Sequence, residues 1–369
     1  MYGLSENGPD KMTVRIASAA EDFYREFSGG SAGRKRYLYG INEYSASIVR
    51  IMQVDGFIDD FSVEAEWMGR PVLKFREIDP DCMIVSCTTS NYTHTVMDKI
   101  RAAGIACINY IAFADASRGV LPQVSAVADS RQDYAERSDK YVWLRGRLFD
   151  EESRNVLDRL LDFRLHGNVE AMRHFEYAAS RQYFEPFVVL EEGEVFVDGG
   201  GFDGCTSLEF TARCPQYGAI HLFEPSPSML AVAREKLAGL ERVHFHPLGL
   251  FDRSASLAFD ASAGSASHIS DVGFERIEVA RLDDTVPEAV SFIKLDLEGA
   301  ELAALRGMER QIRTAHPKLA VAVYHRPSDF WGVPELILDL RSDYDVYLRH
   351  YTEGWAETIM FFIPQISRN

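Results

Sequence analysis

The sequence predicts an α/β protein with two parallel sheets, and three observations carry that reading. Short apolar runs alternate with helix-patterned stretches in two separate regions of the chain. Polar residues stand repeatedly at the carboxyl ends of those runs. The last two runs are joined by a short turn at Glu353-Gly354, a connection that only antiparallel strands can use.

The elements follow in order. Residues 1–33 read as an N-terminal arm, helical in part over 15–27. Residues 34–115 form a smaller parallel α/β domain, with strands at 37–40, 56–60, 83–87 and 105–113 and helices between them. Residues 116–190 are a connector followed by a helical segment rich in Arg and aromatics, closed by Pro186 and Gly193. Residues 191–369 hold the second unit, with strands at 195–198, 219–224, 243–246, 292–296 and 319–324 and the hairpin 345–350/358–363. Helices are expected at 207–212, 226–237 and 301–314.

Composition narrows the function classes. The 369 residues fit two domains of roughly 100–200 residues better than one. The 39 basic and 56 acidic side chains leave a net charge of -17, which argues against a general nucleic-acid partner or an anionic membrane surface. No apolar run approaches the ~20 residues of a membrane span, and no secretory signal is visible. Five cysteines without C-x-x-C spacing suit a reduced, cytoplasmic protein.

The densest motif is the turn V-F-V-D-G-G-G-F-D-G-C at 195–205. Gly199, Gly201 and Gly204 match the G-x-G-x-x-G fingerprint of dinucleotide binding. Asp198 and Asp203 do not suit a pyrophosphate. Two like charges ~4 Å apart cost about 1 kcal/mol in water and about 4 kcal/mol at an effective dielectric near 20. No Lys or Arg lies within the loop to offset them. S-adenosylmethionine, which carries a sulfonium and an ammonium and no phosphate, fits the carboxylates better. Glu224, at the end of the next strand, suits a ribose in either cofactor. Asp198, Glu224, Asp296 and His325 all end strands of one parallel sheet and so should converge on one edge.

With Asp198-x-Gly200-x-x-x-Gly204, Phe223-Glu224-Pro225-Ser226 and the stretch K-L-D-L-E-G-A-E at 294–301, followed by L-x-x-L-R-G, the chain resembles the FkbM family of S-adenosylmethionine-dependent methyltransferases. Arg281-Leu282-Asp283-Asp284 and Leu348-Arg349-His350-Tyr351 also resemble that family, and the likeness covers 183–364. The family pattern usually has Ala-Asn where this chain has Gly201-Phe202. The resemblance implies a class I methyltransferase sheet of seven strands with an antiparallel terminal hairpin. It implies O-methylation of a sugar, glycan precursor or polyketide-like acceptor. By position it implies that Asp198, Gly200, Gly204 and Glu224 hold the cofactor and that Gly249-Leu250 lie near the adenine. Gly199, Gly201, Asp203, Pro225, Asp296 and Tyr183 complete the expected cofactor set, with Gln182 and Tyr183 over the methionine end.

A sugar hydroxyl is a poor nucleophile at neutral pH. His325 is the expected general base, and Asp296 the residue that positions the hydroxyl or the methionine ammonium. No metal is assigned; Asp296, Glu298 and His325 form the alternative, a Mg²⁺ set. Glu301 reads as a first-turn helix acid. Two competing functions stand beside O-methyl transfer: a dinucleotide-dependent oxidoreductase and a non-catalytic nucleotide-sugar-binding protein. The second draws on Gly40-x-Asn42-x-x-Ser45 with Asp59 and Asp60, which resembles the small nucleotide-sugar-binding domain of bacterial sugar acetyltransferases. A structural or dimerising role for that domain, giving a homo-oligomer, is the alternative.

Overall fold

A computed structural model describes residues 11–29, 33–260, 268–269 and 275–365. The chain divides into two compact units that are interleaved in sequence. One comprises residues 1–131, 160–177 and 352–355; the other comprises 132–159, 178–351 and 356–369.

The first unit is built on strands β1 (Lys35–Tyr39), β2 (Gly56–Ile58), β3 (Glu66–Trp67), β4 (Arg70–Leu73), β5 (Cys82–Ser86) and β6 (Ala106–Asn109) in the order β3-β4-β2-β1-β5-β6. All neighbours run parallel except β3, which pairs antiparallel with β4. Helices α1 (Lys11–Gly29), α2 (Glu43–Val49), α3 (Thr93–Ala102) and α4 (Tyr110–Ala116) belong to this unit. Tyr37, Tyr39, Ile58, Ile84, Val96 and Ile100 form a core on one face of its sheet. The expected strand at 105–113 stops at Asn109, whose side chain accepts the Ala112 N–H at 2.9 Å and starts α4. The expected connector after residue 116 is mostly helix: α5 (Ser125–Arg147) and α6 (Glu151–His166).

Residues 352–355 lie against the loop that leads into α3. Glu353 N–H donates to the Asn91 carbonyl at 2.9 Å, and Trp355 N–H to the Thr89 carbonyl at 3.3 Å. The Glu353 carboxylate accepts Thr95 N–H at 2.8 Å and Thr95 Oγ1 at 2.6 Å, capping the first turn of α3. Gly354 is required there: a Cβ would stand 2.2 Å from the Thr89 carbonyl oxygen.

The second unit holds a seven-stranded sheet of β7 (Val195–Gly199), β8 (Ala219–Phe223), β9 (Val243–His246), β14 (Phe292–Leu295), β15 (Lys318–Ala322), β16 (Tyr344–His350) and β17 (Thr358–Pro364). A smaller sheet of β10 (Gly249–Leu250), β11 (Ala255–Asp260), β12 (His268–Ile269) and β13 (Glu275–Ala280) falls between β9 and β14 in the chain. The large sheet runs β16-β17-β15-β14-β7-β8-β9, parallel except for β17, which pairs antiparallel with both β15 and β16. This is the class I methyltransferase order, with the antiparallel terminal hairpin expected from sequence. Helices α7 (Cys205–Arg213), α8 (Pro227–Lys236), α9 (Leu282–Thr285), α10 (Glu301–Arg306), α11 (Glu309–Ala315) and α12 (Asp329–Leu340) connect the strands. The helix expected at 301–314 is interrupted at Gly307-Met308. Phe196, Phe210 and Phe292 stack in its core, with centroids 4.4 and 5.1 Å apart.

Candidate active site

In this unit the residues singled out from sequence gather at the carboxyl edge of the parallel strands. Asp198 is the penultimate residue of β7 and is fully buried. It is not the isolated carboxylate that the sequence suggested. Lys294, its register partner on β14, places Nζ 3.1 Å from Asp198 Oδ1. The same ammonium donates to the Gly199 and Gly200 carbonyls at 3.1 and 2.7 Å and lies 5.3 Å from the centre of the Tyr183 ring. Asp198 Oδ2 accepts Ser207 Oγ at 2.7 Å. Asp203 is likewise answered, by Lys236 and by the Cys205 N–H. The two aspartates therefore complete the turn's own charge balance and do not by themselves select a cationic ligand.

The glycines also have a structural cause. Gly200 has φ +72°, and a Cβ there would lie 1.9 Å from the Asp296 carbonyl oxygen. Gly200 and Gly201 N–H both donate to the Phe223 carbonyl, at 3.1 and 3.0 Å, which folds the turn back onto β8. Gly204 precedes α7 at its N-cap, Gly199 ends β7, and Leu250 of β10 packs against Gly199. Gly249 pairs with Val279 in the small sheet.

Glu224 follows β8 and is buried. Its Oε2 accepts Phe202 N–H at 3.0 Å and its Oε1 accepts Ser226 N–H at 2.7 Å, so Pro225 is spanned by a carboxylate with a fixed orientation. Burial raises its pKa, against the pull of those two N–H groups.

The second half of the site lies past β14 and β15. Asp296 Oδ2 accepts the Tyr183 hydroxyl at 2.6 Å, and Gln182 Nε2 donates to the same hydroxyl at 3.0 Å and to Glu357. His325 stands three residues beyond β15 with its side chain 7 % exposed. Its Nε2 is 3.4 Å from Asp296 Oδ1 and 3.3 Å from Glu298 Oε2, and its Nδ1 is 2.9 Å from Glu301 Oε1. Burial disfavours the charged ring, but Glu301, Glu298 and Asp296 outweigh it and hold the imidazole pKa well above 6.5. These three carboxylates favour the charged form of the ring in this arrangement.

Sequence reasoning missed three members of this site and read a fourth, Glu301, only as a helix acid. Lys294 sits inside a strand, where a charged residue signals nothing about its partner. Glu301 is fully buried and accepts Leu297 N–H at 2.8 Å as well as facing His325. Asp329, in the first turn of α12, has its pKa pushed up to about 7 by burial and by Glu301. Glu357, just before β17, is pushed up to about 7 by burial and by Asp296. Chain distance hid Asp329 and Glu357, while Glu301 was legible only as a first-turn helix acid. Trp331 donates its indole N–H to Asp133 at 3.1 Å, and Phe330 is buried.

The strand order is that of the class I methyltransferase fold. Residues 198–353 match the family model of the methyltransferase FkbM domain. The crystal structure of the methyltransferase FkbM from Methylobacillus flagellatus KT superposes with a TM-score of 0.72 at 23% identity, over 96% of this chain and 98% of that one. A putative rRNA-methylase from Clostridium thermocellum aligns over 53% of this chain and 99% of its own, at TM-score 0.37 and 12% identity. A putative methyltransferase from Streptococcus mutans in complex with SAH aligns over 50% and 94%, at TM-score 0.33 and 13% identity. No curated protein matches the sequence. Among the described residues, no helix is long and apolar enough to cross a membrane.

Proposed function

We propose that the chain moves a methyl group from S-adenosylmethionine to a hydroxyl of a sugar, glycan precursor or polyketide-like acceptor. The observation that carries this reading is the convergence on one sheet edge of a fixed ribose-type carboxylate, Glu224 past β8, and a polar pair, Asp296 past β14 and His325 past β15. In the reaction the acceptor oxygen forms a bond to the methyl carbon as the S–CH₃ bond breaks. The bonding pair would pass to sulfur, leaving a neutral thioether, and the hydroxyl proton would pass to the Asp296–His325 pair. The enzyme's main contribution is alignment, worth up to ~7–11 kcal/mol in favourable intramolecular cases. Glu224 would take the ribose hydroxyls, Leu250 would pack beside the adenine, and Tyr183 and Asp296 would receive the methionine end. Asp296 and His325 would face the acceptor.

Calorimetric titration with S-adenosylmethionine, S-adenosylhomocysteine, NAD and NADP tests the reading. Micromolar binding of the first two is expected, and binding of NAD alone would sink it. Glu224→Ala should weaken S-adenosylhomocysteine binding at least about tenfold, the loss of charged hydrogen bonds of about 1.5–3 kcal/mol. His325→Ala should leave that affinity within twofold and lower turnover of an accepted hydroxyl substrate.

A further inference from the structure

The second half of the site has the geometry of a metal centre. His325 Nε2, Asp296 Oδ1 and Glu298 Oε2 each offer one donor atom, and all three lie within 4.8 Å of one another. The nitrogen stands 3.4 and 3.3 Å from the two oxygens, and neither ring nitrogen completes an aligned hydrogen bond. Those spacings are long for hydrogen bonds but match two donors sharing one ion. At metal–ligand distances of ~2.1 Å, donors on one ion lie roughly 3.0 Å apart in octahedral and roughly 3.4 Å apart in tetrahedral geometry.

The surroundings hold the donors in place. Glu301, fully buried and fixed by the Leu297 N–H, lies 2.9 Å from His325 Nδ1. That carboxylate–histidine arrangement turns Nε2 toward the two oxygens, as the outer partners of metal-bound histidines do. Tyr183 donates to Asp296 Oδ2 at 2.6 Å and leaves Oδ1 facing His325. Glu298 has φ +51°, a left-handed backbone for a non-glycine residue, at the position that aims its carboxylate toward the ring.

We propose that Asp296, Glu298 and His325 bind a divalent first-row transition ion, with Glu301 as the residue that orients the histidine. One imidazole with two carboxylates and open positions suits Mn²⁺ or Fe²⁺ better than Mg²⁺, which prefers an all-oxygen shell. In the methyl-transfer reading, on which this inference rests, the open positions receive the acceptor hydroxyl, and His325 is a ligand in place of a free base.

The probe is Mn²⁺, added to the full chain after dialysis against EDTA. Loss of the free-ion electron paramagnetic resonance signal gives the affinity, and a rise in Tm reports binding independently. We expect one ion per chain. Glu298→Gln and His325→Gln should each weaken binding at least about tenfold, and Glu301→Gln by about 10–100-fold. An equal concentration of Mg²⁺ should displace less than a tenth of the Mn²⁺. An unchanged free Mn²⁺ signal, or binding that the Glu298→Gln and His325→Gln variants leave intact while their thermal unfolding stays cooperative, would overturn the proposal. S-adenosylhomocysteine calorimetry on the EDTA-treated protein separates the two readings. Cofactor binding without Mn²⁺ binding rejects only the metal site, and loss of cofactor binding with Mn²⁺ retained rejects only the methyl-transfer reading.

Discussion

Two parallel sheets in this chain end in acid-lined edges, and the edges behave differently. In the first unit Asp60 accepts the Tyr39 hydroxyl at 2.5 Å, Lys99 Nζ at 2.5 Å and the Phe75 N–H at 2.9 Å. Asp59 Oδ1 accepts the Phe61 and Ser62 N–H groups, and Asn42 forms a capping box with Ser45 at the start of α2. Burial opposes ionisation of Asp60, but Lys99 and Tyr39 outweigh it and bring its pKa to about 2. In the second unit the half of the edge around Asp198 is equally self-contained, through Lys294. The half around His325 differs: besides the hydroxyl and N–H donors that Asp296 and Glu301 accept, Asp296, Glu298 and Glu301 all crowd a single imidazole ring. A parallel sheet supplies an edge, and polar valence left unspent on that edge makes it a candidate site.

The largest break should come from Lys294→Met. It leaves Asp198 buried without its ion-pair partner, and cutting one partner of a buried pair costs about 3–5 kcal/mol. Denaturant unfolding should show that loss, and S-adenosylhomocysteine affinity should fall with it because the turn carbonyls lose their donor; Asp198→Asn in the same chain should restore part of the stability. Gly200→Ala comes next, at ~3 kcal/mol from a left-handed backbone and a clash with a carbonyl. Its control is Gly69→Ala in the first unit, where φ is +70° but nothing lies within 4 Å of the added carbon; that change should cost about 1 kcal/mol. Asp60→Asn is smaller still, about 1 kcal/mol, because Lys99 is 42% exposed and screened. It should leave S-adenosylhomocysteine affinity unchanged, and a fall would mean that the first edge contributes to cofactor binding.

The smallest effect is a pH dependence on the outer strands β8 and β9. His221 Nδ1 lies 3.1 Å from His246 Nε2, His221 Nε2 lies 2.9 Å from Glu288, and the His221 ring stacks on His244. Burial, then His221 and His244, lower the His246 pKa to about 4, and burial lowers that of His221. The unfolded chain therefore binds protons that the folded one refuses, so this stability is full above about pH 6.5 and is lost as pH falls toward 4. His246→Gln should flatten the fall in Tm over that window; an unchanged slope would assign the effect to other groups.

The strands of the second unit were legible because most are short apolar runs with a polar end, and the final turn is too short for a crossover; the seven-stranded arrangement was implied by the family resemblance. The convergence of Asp198, Glu224, Asp296 and His325 followed from their places at strand ends of one parallel sheet. The charge state of the edge did not follow, since Lys294 and Asp198 become partners only through strand register, 96 positions apart. Residues 105–113 misled because a continuous apolar run suits a buried strand and a buried helix alike; the Asn109 cap decided it. The small sheet of β10 to β13 escaped notice because β10 and β12 are only two residues long, and β11 (A-S-L-A-F-D) and β13 (E-R-I-E-V-A) lack a continuous apolar run.

The four residues 352–355 carry a last consequence. They sit between β16 and β17, yet they complete the first unit and cap its helix α3. A nick near residue 190 would give two fragments, neither with a whole unit. Mixed together, such fragments should fold by complementation where each alone fails, and the two sheets should be inherited as one piece, beyond the reach of domain shuffling.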